Sequence, residues 1–196
     1  MNGAMAIVDD EVCFSKPLRR ESVALLLSDA VRNDYSCVIV GERHIALHNE
    51  KPLVRELFEK FLQVGGGDFP STISRLDPDE PVLQVSPFFT VEQEQALMPS
   101  IPDAVCARWH PAFADVTARE ATKGLALTSL VERLHLDASK TVAFGDGGND
   151  VSMFRAAAIG IAMPTADEWV RNEADIVAAD VDDNGIARVL EKILPL

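Results

Sequence analysis

The sequence has few basic residues. Its 18 Lys and Arg residues are outnumbered by 31 Asp and Glu residues, which gives the 196-residue chain a formal net charge of -13. This charge repels phosphate backbones and anionic lipids at long range, so nucleic acids and membrane surfaces are poor candidate partners. A small anionic ligand can still bind where a local Lys, a cation or a helix N-terminus reverses the field.

The sequence also has few cysteines and no long apolar run. Cys13, Cys37 and Cys106 are odd in number, far apart and in no CxxC pair, which indicates neither a disulfide framework nor a zinc knuckle. The longest apolar stretches, 156–163 and 23–27, are shorter than the roughly 18 residues that a membrane span needs. No signal-peptide pattern opens the chain, and we expect a cytoplasmic protein without membrane contact.

The pattern of apolar residues changes part-way along the chain. The first half predicts the order β, α, β, β, α, β, α, β, a small α/β sandwich with much antiparallel pairing. After residue 123, short strands predicted at 141–144, 159–162 and 176–178 alternate with helices. This alternation predicts a parallel, doubly wound sheet. We therefore expect an α/β protein with two domains, residues 1–112 and 113–196.

The most informative segment is the hexapeptide GDGGND at 145–150, which follows a predicted strand and precedes a helix. In a doubly wound sheet this position lies at the carboxyl end of a strand, where ligands bind. Asp146 and Asp150 supply the oxygen ligands that Mg²⁺ prefers. An EF-hand is excluded because Ala157 stands where the bidentate Glu belongs, and the glycine spacing fits neither a Rossmann nor a Walker fingerprint. A plain turn remains the alternative.

A lysine opens the helix that comes before this acidic loop. Lys123 lies one element upstream of the loop, so its ammonium can reach the same edge of the sheet. An ordinary solvated Lys at a helix start is the alternative. Together with GDGGND, however, Lys123 provides the combination of a cation and carboxylates that phosphoryl transfer requires, since Lys and Mg²⁺ neutralise the phosphate oxygens.

These motifs occur in an order that resembles a known family. The order is Lys123-Gly124, VAFGDGGNDVSMFRAA from residue 142, GIAMPTADEWVRNEADIV from residue 160, and Asn184-Gly185. It is similar to the haloacid dehalogenase superfamily, in particular its Cof-type sugar phosphatases. The resemblance covers most of 121–194. It implies that 1–112 form an α/β cap domain and that 113–196 form the C-terminal half of a Rossmann-like core with a partial doubly wound sheet.

The resemblance also implies a chemistry. In that family an Asp attacks the phosphate of a small phosphorylated metabolite and the resulting aspartyl-phosphate is hydrolysed. Lys123 matches the catalytic Lys that holds the phosphate and the nucleophile. Asp146 matches a catalytic Mg²⁺ ligand, and Asp150 assists the metal directly or through water. Asn149 matches the Asn that lies close to the phosphate or substrate. The implied substrates are sugar phosphates.

Two motifs of that family are missing from the sequence. No DxDGT segment supplies the nucleophile, and the only similar spaced pair, Asp77-Pro78-Asp79, is followed by Glu80-Pro81. The Ser or Thr motif that should precede the cap is also missing. We expect that core elements on the order of 70 residues are absent, that this truncated chain is inactive alone, and that it forms homo-oligomers through an exposed sheet edge. The alternative is a non-catalytic, truncated binding or interaction module.

Three aromatic residues lie close together before the predicted boundary. They are Trp109, His110 and Phe113. Packing of the rings against one another is the favoured interpretation, and contact with a sugar is the alternative, because caps of this family select substrates.

Overall fold

The computed structural model describes residues 1–61, 71–72 and 79–194. The chain divides into two compact units. The first comprises Met1, Gly3–Met5 and Ser15–Ala121, and the second comprises Asn2, Ala6–Phe14 and Thr122–Leu196. This division differs from the predicted boundary between residues 112 and 113, because residues 113–118 form a strand of the first unit's sheet.

The mixed α/β class predicted from the sequence is confirmed. The strands are β1 (Met5–Val8), β2 (Glu11–Ser15), β3 (Cys37–Gly41), β4 (Ile45–His48), β5 (Ser71–Thr72), β6 (Val82–Pro87), β7 (Ala104–His110), β8 (Phe113–Ala118), β9 (Val142–Gly145), β10 (Ile159–Ala162) and β11 (Ile176–Val177). The helices are α1 (Arg20–Arg32), α2 (Pro52–Phe61), α3 (Val91–Leu97), α4 (Lys123–Arg133), α5 (Val151–Ala156), α6 (Glu168–Arg171) and α7 (Gly185–Ile193). Among the described residues, no helix is long and apolar enough to cross a membrane.

The first unit is built on a six-stranded sheet in the order β5-β4-β3-β6-β8-β7. All pairs are antiparallel except β4 with β5. Helix α1 packs its apolar stripe on the sheet because Val23, Leu26 and Ala30 recur at helical spacing and are buried with Val85 and Val116. This burial of apolar side chains forms the larger core of the unit.

Strand β8 is not predicted from the sequence. Ala114 and Val116 alternate with polar residues and are buried, which is the pattern of a strand with one face on a core. The backbone N–H of Ala112 donates to Nδ1 of His110 at 3.1 Å inside the turn that joins β7 to β8. The predicted domain boundary falls beside this alternation, and no strand is predicted there from the sequence.

The second unit contains the parallel sheet that the alternation of strands and helices predicted. Its order is β11-β10-β9, and both pairings are parallel. Consecutive residues of β10 point to opposite faces: Ile161 packs with Val189 of α7, and Ala162 packs with Phe154 of α5 and Val170 of α6. Helices therefore cover both faces, as in doubly wound folds.

A hairpin formed by β1 and β2 opens the chain. The sequence predicts a strand at 4–8 but not its partner. Asp9 and Asp10 form the turn with φ angles of 50° and 64°. Consecutive left-handed residues are typical of the two-residue hairpin turns in which Asn, Asp and Gly are preferred. The Asp pair was therefore the local signal for this hairpin.

Candidate functional site

All four residues singled out from the sequence lie in the second unit. Lys123 is the first residue of α4, and the preceding Thr122 side chain caps that helix by accepting the N–H of Leu125 at 3.1 Å. Asp146 follows directly after β9, and Asp150 immediately precedes α5. The carboxyl end of β9 thus carries the acidic loop, as the sequence predicts.

Asp150 is the centre of this arrangement. Its carboxylate is buried, and its side chain is only 5% exposed. Oδ1 accepts a hydrogen bond from Nζ of Lys123. Oδ2 accepts the backbone N–H groups of Asp146 and Gly147, each at 3.0 Å. One carboxylate therefore joins the lysine of α4 to the backbone of the loop and closes the loop over the start of α5.

The environment of Asp150 favours its ionised form. Burial by itself raises the pKa of this carboxyl, because a low dielectric disfavours the charge. The hydrogen bond from Lys123, the two backbone N–H groups and the lysine charge act in the opposite direction and together lower the pKa below its ordinary value. Asp150 is consequently a fixed anion at neutral pH, and Lys123 is held as its cation partner.

Glycines allow the close approach on which this geometry depends. A Cβ on Gly145 would lie 2.4 Å from the Cβ of Asp150, and a Cβ on Gly124 would lie 2.2 Å from the carbonyl oxygen of Ser152. The N–H of Gly124 donates to Oγ of Ser152 at 3.1 Å. Gly124 therefore lets the first turn of α4 contact the first turn of α5. Gly124 is part of the motifs recognised in the sequence, whereas Ser152 has no role predicted from it.

Asp146 and Asn149 are exposed, unlike Asp150. Within the second unit as described to Leu194, no group donates a hydrogen bond to the carboxylate of Asp146. Nδ2 of Asn149 donates to Oδ1 of Asn2 at 2.9 Å. Asn2 is not among the residues singled out from the sequence, and no local pattern could reveal a contact across 147 positions.

Trp169 also lies against the loop. A Cβ on Gly148 would come within 2.6 Å of Cη2 of the indole ring, so the ring packs directly on this glycine. The side chain remains largely accessible, since Trp169 is 56% exposed. Trp169 is not predicted from the sequence to belong to the site. The sequence signal that could have indicated this contact was a large aromatic residue at the start of the short helix α6, one element beyond β10.

The donor set of this loop fits a weakly coordinated Mg²⁺ ion. Mg²⁺ usually binds one or two carboxylates and keeps several waters or substrate oxygens. Asp146 offers an exposed carboxylate that accepts no hydrogen bond from the described residues of its unit, whereas both oxygens of Asp150 already accept hydrogen bonds. In the described part of the chain, no three His, Cys, Asp or Glu side chains form a metal cluster. An ion here would therefore depend on Asp146 and on oxygens from outside this loop.

Of the spaced Asp pair at 77–79, Asp77 lies outside the described residues. The neighbouring Glu80 stabilises the turn between β3 and β4, because its Oε1 accepts the backbone N–H groups of Arg43 and His44, each at 2.8 Å. Glu80 thus has a structural role in the first unit.

Comparison with known proteins establishes the family. A family model described as haloacid dehalogenase-like hydrolase matches residues 1–190. The chain belongs to this family. The putative phosphatase YkrA of Bacillus subtilis (strain 168) is 28% identical over 193 residues, which cover 98% of this chain and 73% of YkrA. This haloacid dehalogenase-like chain therefore has a relative that matches it along almost its whole length.

Solved structures agree with that assignment. The chain is similar to the haloacid dehalogenase subclass IIB sugar phosphatase BT4131, with 36% identity and a TM-score of 0.84, over 98% of this chain and 74% of that one. It is also similar to the phosphatase BT1666 from Bacteroides thetaiotaomicron, with 27% identity and a TM-score of 0.80, over 97% and 71% of the two chains. The predicted family and the predicted enzyme class, a phosphohydrolase by family resemblance, are confirmed. The roles of individual residues stay predictions.

Proposed function

We propose that the second unit carries the phosphate-binding and Mg²⁺-binding part of a phosphatase site for small phosphorylated metabolites, with sugar phosphates as the first candidates. The observation that carries this proposal is the bridge made by Asp150, which fixes the ammonium of Lys123 beside the loop that presents Asp146. The structurally similar protein BT4131 is a sugar phosphatase. A cation held beside an exposed carboxylate is the arrangement that phosphoryl transfer uses.

Each residue has a distinct role in this proposal. Lys123 is partly exposed, with 32% of its side chain accessible, and its ammonium has further N–H groups beyond the one that Asp150 accepts. These N–H groups would bind phosphate oxygens. Asp146 would hold Mg²⁺, which supplies positive charge to the phosphoryl oxygens when bound. Asn149 would contact the substrate, and Asp150 would position Lys123 and assist the metal through a water.

We further propose that the chain alone binds phosphate esters but does not turn them over. Its sequence contains no DxDGT motif for the nucleophilic Asp. Without that carboxylate no aspartyl-phosphate forms. The groups assigned above would then bind the substrate without completing the reaction, since charge neutralisation does not replace a nucleophile.

Calorimetric titration with glucose 6-phosphate, with and without Mg²⁺, tests the binding part of this proposal. We expect Lys123→Gln and Asp146→Asn each to weaken Mg²⁺-dependent binding by about tenfold or more, because each removes a charge-assisted contact. Lys140→Gln is the matched control, since Lys140 is an exposed lysine of the same unit with 81% of its side chain accessible. Equal affinities for all three variants and the unaltered chain would overturn the assignment.

A turnover assay with an aryl phosphate separates the remaining outcomes. We expect no Mg²⁺-dependent hydrolysis by the chain alone. Hydrolysis that disappears in Asp146→Asn would show that a nucleophile exists elsewhere in the chain, and the inactivity proposal would be wrong. Binding of the ester without any need for Mg²⁺ or Asp146 would instead favour the alternative of a non-catalytic binding module.

A further inference from the structure

The indole ring of Trp169 stands edge-on against the acidic loop. A Cβ on Gly148 would lie 2.6 Å from Cη2, 2.8 Å from Cζ2 and 3.9 Å from Cζ3 of the ring. The distance to Cζ3 exceeds that to Cη2 by almost one aromatic bond length, so this Cβ lies close to the extension of the Cη2–Cζ3 bond, in the plane of the ring. A Cβ above a ring face would be at similar distances from all three atoms. Gly148 therefore contacts an edge of the ring and covers neither face.

The helix that carries this ring is anchored to the unit. Val170, the next residue of α6, is 1% exposed and packs in the same core as Phe154 of α5. The guanidinium of Arg171 donates to the carbonyl oxygen of Pro164 at 3.1 Å. Trp169 itself is 56% exposed, and this exposed surface includes a ring face because the loop contacts an edge. The ring is thus accessible and already positioned, which lowers the entropic cost of binding a ligand against it.

The exposed ring lies beside the residues to which phosphate and metal binding are assigned. Gly148 is adjacent to Asn149 in the chain, and its Cα is within about 8 Å of the Cα of Asp146, because consecutive Cα atoms are about 3.8 Å apart. The ring contacts Gly148 directly. The organic group of an ester whose phosphate is bound at this loop can therefore reach the ring.

A neutral sugar ring has the chemistry that one exposed aromatic face recognises. The C–H groups of a pyranose form an apolar face, and their hydrogens are attracted by the negative face of the indole, whereas the hydroxyl groups at the rim stay in water. A wholly apolar group would need the enclosed walls of a concave pocket. Asp167 and Glu168 precede Trp169 and are exposed, so their charges disfavour a second anionic group on the ligand.

We propose that Trp169 is a specificity-determining residue that stacks on the apolar face of a neutral sugar ring in the phosphorylated substrate. This inference rests on the proposed function, because it requires the phosphate to bind at Lys123 and Asp146. It adds the part of the substrate that is recognised beyond the phosphate. The chain should accordingly prefer cyclic sugar phosphates to acyclic phosphate esters of the same charge.

Two phosphate monoesters test this preference by calorimetric titration in the presence of Mg²⁺. Glucose 6-phosphate carries a pyranose ring, and glycerol 3-phosphate carries an acyclic polyol. We expect the unaltered chain to bind glucose 6-phosphate about fivefold more tightly, and Trp169→Ala to reduce this ratio to about one by weakening the binding of glucose 6-phosphate. Trp169→Phe keeps an aromatic face and should retain most of the preference. Leu136→Ala is the matched control, since Leu136 is an apolar residue of the same unit that is also 56% exposed, and it should leave the ratio unchanged.

A variant of the phosphate-binding lysine separates this inference from the proposed function. Lys123→Gln should weaken both esters equally and keep their ratio. Equal affinities of the two esters for the unaltered chain, or a ratio retained in Trp169→Ala, would overturn the role of Trp169 without affecting the phosphate site. Binding of both esters that does not change in Lys123→Gln, or binding of neither, would overturn the proposed function and this inference with it.

The fluorescence of Trp169 provides a measurement that does not require its substitution. In a Trp109→Phe background, we expect glucose 6-phosphate at saturation to change the emission of Trp169 more than glycerol 3-phosphate does, because only the pyranose stacks on the ring. Equal changes with the two esters would contradict stacking. This comparison remains decisive if Trp169→Ala fails to fold.

Discussion

A single buried carboxylate, that of Asp150, organises the candidate site. Its removal should lower the free energy of unfolding of the second unit. In the unaltered chain three donors contact the two oxygens of Asp150. In Asp150→Asn the side chain loses its charge and retains only one acceptor oxygen for these three donors. We expect the free energy of unfolding of the second unit to fall by about 2 kcal/mol, since a buried, charge-assisted network is broken. Urea unfolding followed by the fluorescence of Trp169, in a Trp109→Phe background, measures this loss.

The neighbouring carboxylate provides the matched control. Asp146 is exposed, and no described residue of its own unit donates a hydrogen bond to its carboxylate, so Asp146→Asn should change the same free energy by no more than about 0.5 kcal/mol. Its effect should appear instead in Mg²⁺ binding. If the two Asn variants destabilised the unit equally, the bridge assigned to Asp150 would not be the source of the stability.

The lowered pKa of Asp150 predicts how the stability of the second unit depends on pH. The unfolded chain has an Asp pKa of about 3.9, and the folded value lies below it. Between these two values the unfolded state binds more protons, so the contribution of Asp150 is complete above the unfolded pKa and is lost as the pH falls through the folded pKa. Acid unfolding in the presence of a chelator should show this loss in the unaltered chain. An equal dependence of the free energy of unfolding on pH in Asp150→Asn would contradict this prediction.

At the scale of elements, the contact between the starts of α4 and α5 depends on Gly124. Replacing Gly by Ala inside a helix ordinarily stabilises it by roughly 0.5–1 kcal/mol. Here the added methyl group would lie 2.2 Å from the carbonyl oxygen of Ser152, so α4 and α5 must separate. We expect Gly124→Ala to destabilise the second unit by about 1–3 kcal/mol, again measured by urea unfolding through Trp169.

Ser129→Ala serves as the control for helix propensity, since it also places Ala at a half-buried position of α4. It should change the free energy of unfolding by only a few tenths of a kcal/mol. The sign of the Gly124→Ala effect is therefore the critical result. A stabilised Gly124→Ala variant would show that the helices do not approach as closely as the geometry requires.

Elements whose signal is local were predictable from the sequence, and contacts between distant segments were not. The predicted start of α4 at Lys123 coincides with the observed one, because Thr122 is a strong N-cap residue next to an apolar periodic segment. The acidic loop was likewise predicted after β9 because Asp and Gly cluster behind a short apolar strand. In contrast, the bond between Asn2 and Asn149 and the packing of Trp169 on the loop arise from the folded chain and have no local pattern.

At the scale of the whole molecule, strand β9 has an open edge within its unit. Among the described residues of the second unit, β9 pairs only with β10. The carbonyls of Thr141 and Gly145 accept hydrogen bonds from Ile159 and Met163, so the intervening Val142 and Phe144 direct their N–H and C=O groups away from β10. Such an edge is a template for pairing with a second copy. The net charge of -13 opposes that association.

The balance between pairing at the edge of β9 and charge repulsion determines whether copies of the chain associate in solution. Added salt screens repulsion between copies, since the Debye length falls from about 30 Å at 0.01 M to about 10 Å at 0.1 M. We therefore expect sedimentation velocity to show self-association that increases with salt. In the associated state, hydrogen exchange should become slower at the amides of Val142 and Phe144, whereas those of Ala143 and Gly145, which face β10, should be protected at every salt concentration. A monomer at all salt concentrations, or protection elsewhere in the chain without any at Val142 and Phe144, would exclude pairing through this edge, because a new parallel or antiparallel partner must take up these N–H groups.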